Sequence, residues 1–99
     1  FNICNGAAVV ALIAGNGVVI KPSEFTPLIQ DLAVDIFVEG GVPRDLFGVV
    51  HGFGETGAAL VDQVDMIEFT GSVATGRKVA AQCGQRLIPC VTELGGKAA

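Results

Sequence analysis

Short apolar runs alternate with apolar residues at helical spacing along this chain, and turn residues separate them. The runs Val18-Val19-Ile20, Phe47 to Val50, Met66 to Phe69 and Leu87 to Thr92 read as strands. Between the first two, Leu28, Ile29, Leu32, Ala33, Ile36 and Phe37 recur at i, i+3, i+4 spacing opposite Gln30, Asp31, Asp35 and Glu39. That pattern predicts a helix with the apolar stripe facing the core. Thr26 is its expected cap, Pro27 fits its first turn, and Gly40-Gly41 with Pro43 ends it. A shorter helix is predicted from Glu55 to about Val61. Another runs from Ser72 to about Cys83, with Gly76, Val79, Ala80 and Cys83 as its packing stripe. Residues 6 to 14 are apolar on every side and read as a buried helix.

Strands recurring with a helix between them make βαβ units, so the predicted fold class is α/β with an open parallel sheet. Ligands of such sheets bind beyond the carboxyl ends of the strands. Here those ends are Lys21 to Glu24, His51 to Gly54, Thr70 to Ser72 and Glu93 to Gly96. No internal repeat, low-complexity stretch or linker interrupts the pattern.

Length and composition change the picture in one respect. Ninety-nine residues suit one domain at most, yet 51% are hydrophobic without counting 14 glycines, above the roughly 45 to 50% usual with glycine included. That surplus must be covered, and with Met66 as the sole methionine the expectation is a fragment of a longer chain. No membrane span is expected, because the apolar stretch from 3 to 20 is broken by Asn5, Gly6, Gly15, Asn16 and Gly17. The first 20 residues contain no Lys or Arg, so they are not expected to be a secretory signal. A net charge of -4 with scattered cations argues against nucleic acid as a partner. Three cysteines without C-x-x-C spacing favour reduced thiols in a cytoplasmic protein and no metal site.

Four segments carry candidate chemistry, and each has a plain structural alternative. In Thr70-Gly71-Ser72-Val73-Ala74-Thr75-Gly76 a strand turns into a helix, whose unpaired N–H groups can receive a phosphate beside the Ser72 hydroxyl. Alternatively, Ser72 only caps its helix. Gly52-Phe53-Gly54-Glu55-Thr56-Gly57 matches G-x-G-x-x-G, but Glu55 brings negative charge to the phosphate position and no acidic residue ends the next strand. It reads better as a turn with close helix packing. Lys21-Pro22-Ser23-Glu24 is either a turn or a ribose-binding rim, with Glu24 accepting from two hydroxyls. Glu93, entering a double-glycine turn, is either a solvated carboxylate or a general base whose pKa partial burial would raise. Cys90 and Glu93 fall on opposite faces of a strand, so Cys90 reads as core, as do Cys83 and Cys4. His51 has no evident partner.

Taken together, Gly15 to Glu24 with Thr26-Pro27, Phe69-Thr70-Gly71-Ser72 with Gly76, and Glu93-Leu94-Gly95-Gly96-Lys97 closely resemble the aldehyde dehydrogenase superfamily in order and spacing. The resemblance runs the whole length and implies that residues 1–99 are part of a dinucleotide-binding domain, a Rossmann-like variant truncated at both ends. It further implies cofactor contacts from Lys21, Pro22, Ser23 and Glu24, from Gly54 at the adenine end, and from Gly71, Ser72, Val73, Ala74, Thr75 and Gly76 around the pyrophosphate. Leu94 would lie beside the nicotinamide, and Glu93 would be the catalytic base that activates water.

The cofactor implied is NAD, since a carboxylate at 24 repels a 2'-phosphate, with NADP as the alternative. The reaction implied is oxidation of a small-molecule aldehyde to a carboxylic acid through a thiohemiacetal and a thioester, in a parent that forms homo-oligomers. The family's nucleophilic Cys is expected beyond Ala99 and its oxyanion-holding Asn before Phe1, so the isolated piece is expected to be inactive. Glu93 argues against an acylating, coenzyme A-dependent branch. A non-catalytic nucleotide-binding or structural module on the same scaffold is the competing expectation.

Overall fold

A computed structural model of the chain describes residues 2–23 and 27–95. Glu24, the expected cap Thr26 and Gly96-Lys97 lie outside the described residues, as does the side chain of Cys4. In chain order the elements are α1 (Asn2–Ile13), β1 (Val18–Ile20), α2 (Pro27–Glu39), a 3-10 turn (Arg44–Leu46), β2 (Phe47–Val49), α3 (Gly54–Val61), β3 (Ile67–Gly71), α4 (Val73–Arg86) and β4 (Cys90–Leu94). All four predicted strands and all four predicted helices are present, and both strand pairings are parallel. The pairing runs in two ladders, β1 with β2 and β3 with β4. These fall in two compact units, Phe1–Thr56 and Gly57–Ala99.

In the first unit Val18, Val19 and Ile20 stand in register with Phe47, Gly48 and Val49. The ladder is packed by Ala8 of α1, Val34 of α2, Ile20 and Phe47, all buried, with Leu12, Phe37, Val38 and Val42 around them. The Phe37 and Phe47 rings are 5.2 Å apart and tilted by 47°, a geometry that aromatic pairs favour. The Val42 N–H reaches back to the Phe37 carbonyl (3.1 Å) and closes α2, just past the glycine pair expected to end it.

Two helices are covered differently from expectation: α2 turns another stripe inward, and α1, expected to be buried on every side, is not. On α2 the buried positions are Gln30, Ala33 and Val34, with Phe37 and Val38 half-buried. Leu28 and Leu32 are 78% and 61% exposed, and Ile29 and Ile36 are exposed too. The helix is apolar on two stripes that share Ala33 and Phe37, and the one closed by Gln30 and Val34 meets the ladder. Buried Gln30 is not orphaned, since no buried side-chain nitrogen or oxygen among the described residues lacks a hydrogen-bond partner. On α1 only one face is covered: Ala8 is buried while Val10 and Ile13 are exposed.

In the second unit Ile67, Glu68, Phe69, Thr70 and Gly71 pair with Cys90, Val91, Thr92, Glu93 and Leu94. Ile67, Phe69 and Gly71 are half-buried while Glu68 and Thr70 are exposed. The alternation follows from strand geometry. The stripe of α4 holds at Gly76, Val79 and Cys83, but Ala80 is exposed and the helix continues one turn further than expected. It stops because Leu87 adopts left-handed backbone (φ 57°), and its N–H bonds the Gly84 carbonyl while that of Ile88 bonds the Cys83 carbonyl. Leu87 and Ile88, read as the start of a strand, thus belong to the helix end, and β4 starts three residues later than expected. Arg86 donates to the carbonyls of Val61 (2.7 Å) and Val64 (2.6 Å), and Gln82 donates to Ala58 O and Asp62, joining α4 to the end of α3.

Candidate functional site

At the carboxyl end of β3, Gly71 leads straight into Ser72, the N-cap of α4. The Ser72 hydroxyl accepts from the Thr75 N–H (3.2 Å), and its carbonyl accepts from the Gly76 N–H (2.9 Å). Helix geometry leaves the Val73 and Ala74 N–H groups as the open donors of the first turn. Ser72, Val73, Ala74 and Thr75 are all exposed, and the first turn of α4 carries no acidic residue. The start of α4 therefore presents the positive end of a 14-residue helix with no acidic side chain in its own first turn. Both glycines there are closely approached. A Cβ on Gly71 would come 2.7 Å from the Phe69 ring, and one on Gly76 would collide with the Leu94 side chain.

The same ladder end holds Glu93 and Leu94. Thr70 is paired with Glu93 and Gly71 with Leu94, and the Gly95 N–H continues the ladder to the Gly71 carbonyl (2.8 Å). Leu94 turns toward α4, where it meets Gly76. Glu93, its neighbour in the strand, therefore lies on the other face with Thr70. Two expectations change here. Glu93 sits within β4 rather than beyond it, and it is exposed, so the burial invoked for a base is not supplied by the described residues.

In the first unit Lys21 leaves β1 half-buried, its Nζ donating to the adjacent Pro22 carbonyl (3.3 Å). Pro22 is buried and Ser23 exposed. At the end of β2, His51 does have a partner, contrary to expectation: its Nε2 lies 2.8 Å from Asp31 Oδ1 of α2. Sequence gave no signal for this pair, whose members are 20 residues apart. Gly52 has φ 145° and no room for a Cβ against Thr56, so the first glycine of the literal G-x-G-x-x-G match serves a tight turn. Gly54 has open space where a Cβ would stand, and Glu55 lies in the first turn of α3. A phosphate is better received at α4 than at α3. An open depression of about 350 Å³ beside β2 is lined by Asp31, Val34, Asp35, Arg44, Phe47, Gly48 and Val49. Its carboxylates are already engaged, Asp31 by His51 and Asp35 by Arg44 (3.4 Å). Among the described residues no group of three or more His, Cys, Asp or Glu could hold a metal ion, and no helix is long and apolar enough to cross a membrane.

Parallel strands joined by helices, with a capped helix start and a carboxylate at one ladder end, define an α/β unit whose strand ends carry the candidate residues. Comparison with known proteins makes the class specific: residues 1–99 match the model of the aldehyde dehydrogenase family, and the chain belongs to that family. It is 52% identical over 88 residues to a Mycolicibacterium smegmatis protein provisionally named succinate-semialdehyde dehydrogenase (NADP+), covering 88% of this chain and 17% of that one. It is 48% identical over 89 residues to the betaine aldehyde dehydrogenase of Mesorhizobium japonicum, with 88% and 18% covered. The crystal structure of Mycobacterium tuberculosis aldehyde dehydrogenase complexed with NAD+ superposes with a TM-score of 0.83 at 44% identity, over 87% of this chain and 18% of that one. The chain thus spans less than a fifth of the length of these relatives.

Proposed function

We propose that this chain is the cofactor-binding and water-activating part of an enzyme that oxidises an aldehyde to a carboxylic acid with NAD(P)+. The observation that carries this reading is the β3–β4 register, Thr70 with Glu93 and Gly71 with Leu94, which brings the open start of α4 and a carboxylate to one ladder end. The α4 start fits a pyrophosphate: it is capped by Ser72, free of acidic side chains, exposed, and backed by glycines that keep side chains out of the way. Val73 and Ala74 N–H groups would hold the phosphate oxygens. Leu94, packed on Gly76, would border the nicotinamide. Lys21, Pro22, Ser23, Glu24 and Gly54 would serve the adenosine part.

NAD(P)+ supplies the hydride acceptor. In the parent, a cysteine thiolate outside residues 1–99 forms the thiohemiacetal and, after hydride transfer, the thioester. Glu93 then takes a proton from water as the oxygen attacks the thioester carbon, and the acid and the thiol are released. Its exposure implies that whatever desolvates it comes from outside the described residues. Relatives named for NADP+ and solved with NAD+ leave both cofactors in play, and a homo-oligomeric parent is part of the same proposal.

The test is to incubate the full-length protein with an aldehyde panel and either cofactor, following reduced nicotinamide by absorbance and cofactor binding by calorimetry. Turnover with either cofactor is the expected result. Binding without turnover on any aldehyde would favour a non-catalytic nucleotide-binding module, and absence of binding would refute the cofactor role.

A further inference from the structure

Cys83 and Cys90 belong neither to the cofactor turn nor to the Glu93 face. Cys83, near the end of α4, is 1% exposed, and Cys90 opens β4 half-buried; both are free thiols. The left-handed Leu87 turns the chain back so that the Ile88 N–H bonds the Cys83 carbonyl (3.1 Å), and β4 begins from there. Cys90 and Leu94 lie on the same face of β4, and Leu94 meets Gly76 of α4, so Cys90 also faces the helix. The two side chains meet at the α4–β4 junction, close enough for each to act on the other. Burial pushes the Cys83 thiol up from its usual range, its neighbour Cys90 adds to the rise, and Arg86 opposes it.

We propose that Cys83 and Cys90 are a redox modification site, forming a reversible disulfide with hydrogen peroxide as oxidant and clasping the end of α4 to the start of β4. The more accessible Cys90 reacts first: its thiolate sulfur attacks one peroxide oxygen, the O–O bond breaks, and the sulfur is oxidised to a sulfenic acid while the other oxygen leaves as water. Cys83 then attacks the sulfenic sulfur, the S–O bond breaks, and that oxygen leaves as a second water with the Cys83 proton. Two thiols are oxidised to one disulfide as one peroxide is reduced to two waters. A thiol reductant reverses the step by exchange. The inference does not depend on the role of Glu93.

Trypsin makes the test direct, because Arg86 separates the cysteines into peptides 79–86 and 87–97. The full-length protein is treated with hydrogen peroxide, its remaining thiols are blocked with iodoacetamide, and it is digested without reductant for mass spectrometry. The expected result is a joined 79–86/87–97 species replacing the two alkylated peptides, and its loss when dithiothreitol precedes blocking. In Cys83→Ser, Cys90 should instead pass on to sulfinic acid. Recovery of both alkylated peptides after oxidation, or either cysteine joined to a different one, would overturn the proposal.

Discussion

The Leu94 side chain of β4 occupies the space in which a Cβ on Gly76 of α4 would stand. Two residues of the candidate site thus fix each other: the glycine lets the strand end approach the helix, and the leucine fills the gap. Gly76→Ala would gain about 1 kcal/mol of helix propensity and cost about 1 to 3 kcal/mol in overpacking. Because the clash is with the far end of a flexible side chain, Leu94 should swing away, leaving a net loss of about 1 kcal/mol. Denaturant unfolding of the full-length protein would give that figure, and the KM for NAD(P)+ should rise by more than the stability change alone explains.

Ser72 separates capping from cofactor binding. Ser72→Ala removes the acceptor of the Thr75 N–H and should cost about 1 kcal/mol of stability. Ser72→Asp preserves the cap and suits the helix dipole, yet sets a negative charge where a pyrophosphate would rest. Stability should be retained while the KM for NAD(P)+ rises by about tenfold, equivalent to about 1.4 kcal/mol. Unchanged cofactor kinetics in Ser72→Asp would reduce Ser72 to a cap.

Leu87 holds left-handed backbone while 90% exposed. A non-glycine residue pays about 1 to 2 kcal/mol there, and little packing is lost by removing the side chain. Leu87→Gly should therefore stabilise the protein by about 0.5 to 1 kcal/mol after the extra chain entropy of glycine is counted. A raised denaturation midpoint with unchanged slope is the expected readout.

Arg86 closes the open end of α3 by donating to Val61 O and Val64 O. The Val61 carbonyl is a terminal one with no partner within its helix, and the same guanidinium also holds the Val64 carbonyl of the loop that follows. Arg86→Gln should cost about 1 to 2 kcal/mol, discounted for the exposure of the pair, and Arg86→Lys about half of that. Hydrogen exchange should rise around residues 58–64 before it rises in β3.

Much of this fold is legible in the sequence, for reasons tied to particular residues. Val18 to Ile20 and Phe47 to Val49 form strands because β-branched and aromatic runs bounded by glycine and proline have few alternatives, and Ser72 was recognisable as a helix start from the Gly71 before it. The failures also have causes. On α2 the run from Leu28 to Val38 is apolar over more than half its circumference, so periodicity picks out a stripe without saying which side meets the ladder. Gln30 then disguises the buried side. At β4, Leu87 and Ile88 look like strand residues because hydropathy is blind to a left-handed helix end. The pairs His51 with Asp31 and Cys83 with Cys90 follow from how elements fold back, which local spacing does not encode. The cysteine pair had one available signal, a short helix-to-strand connection between two thiols.

The central claim is tested most directly by single-turnover and steady-state kinetics of Glu93→Gln in the full-length protein. The substitution keeps the shape of a side chain that is exposed on β4 and removes its capacity to take a proton from water. The account predicts that the first equivalent of reduced cofactor forms at nearly the normal rate, while the steady state falls by about 100-fold or more as thioester hydrolysis becomes limiting, within the range that general-base catalysis contributes. Normal steady-state turnover, or an equal slowing of the first and later turnovers, would contradict it.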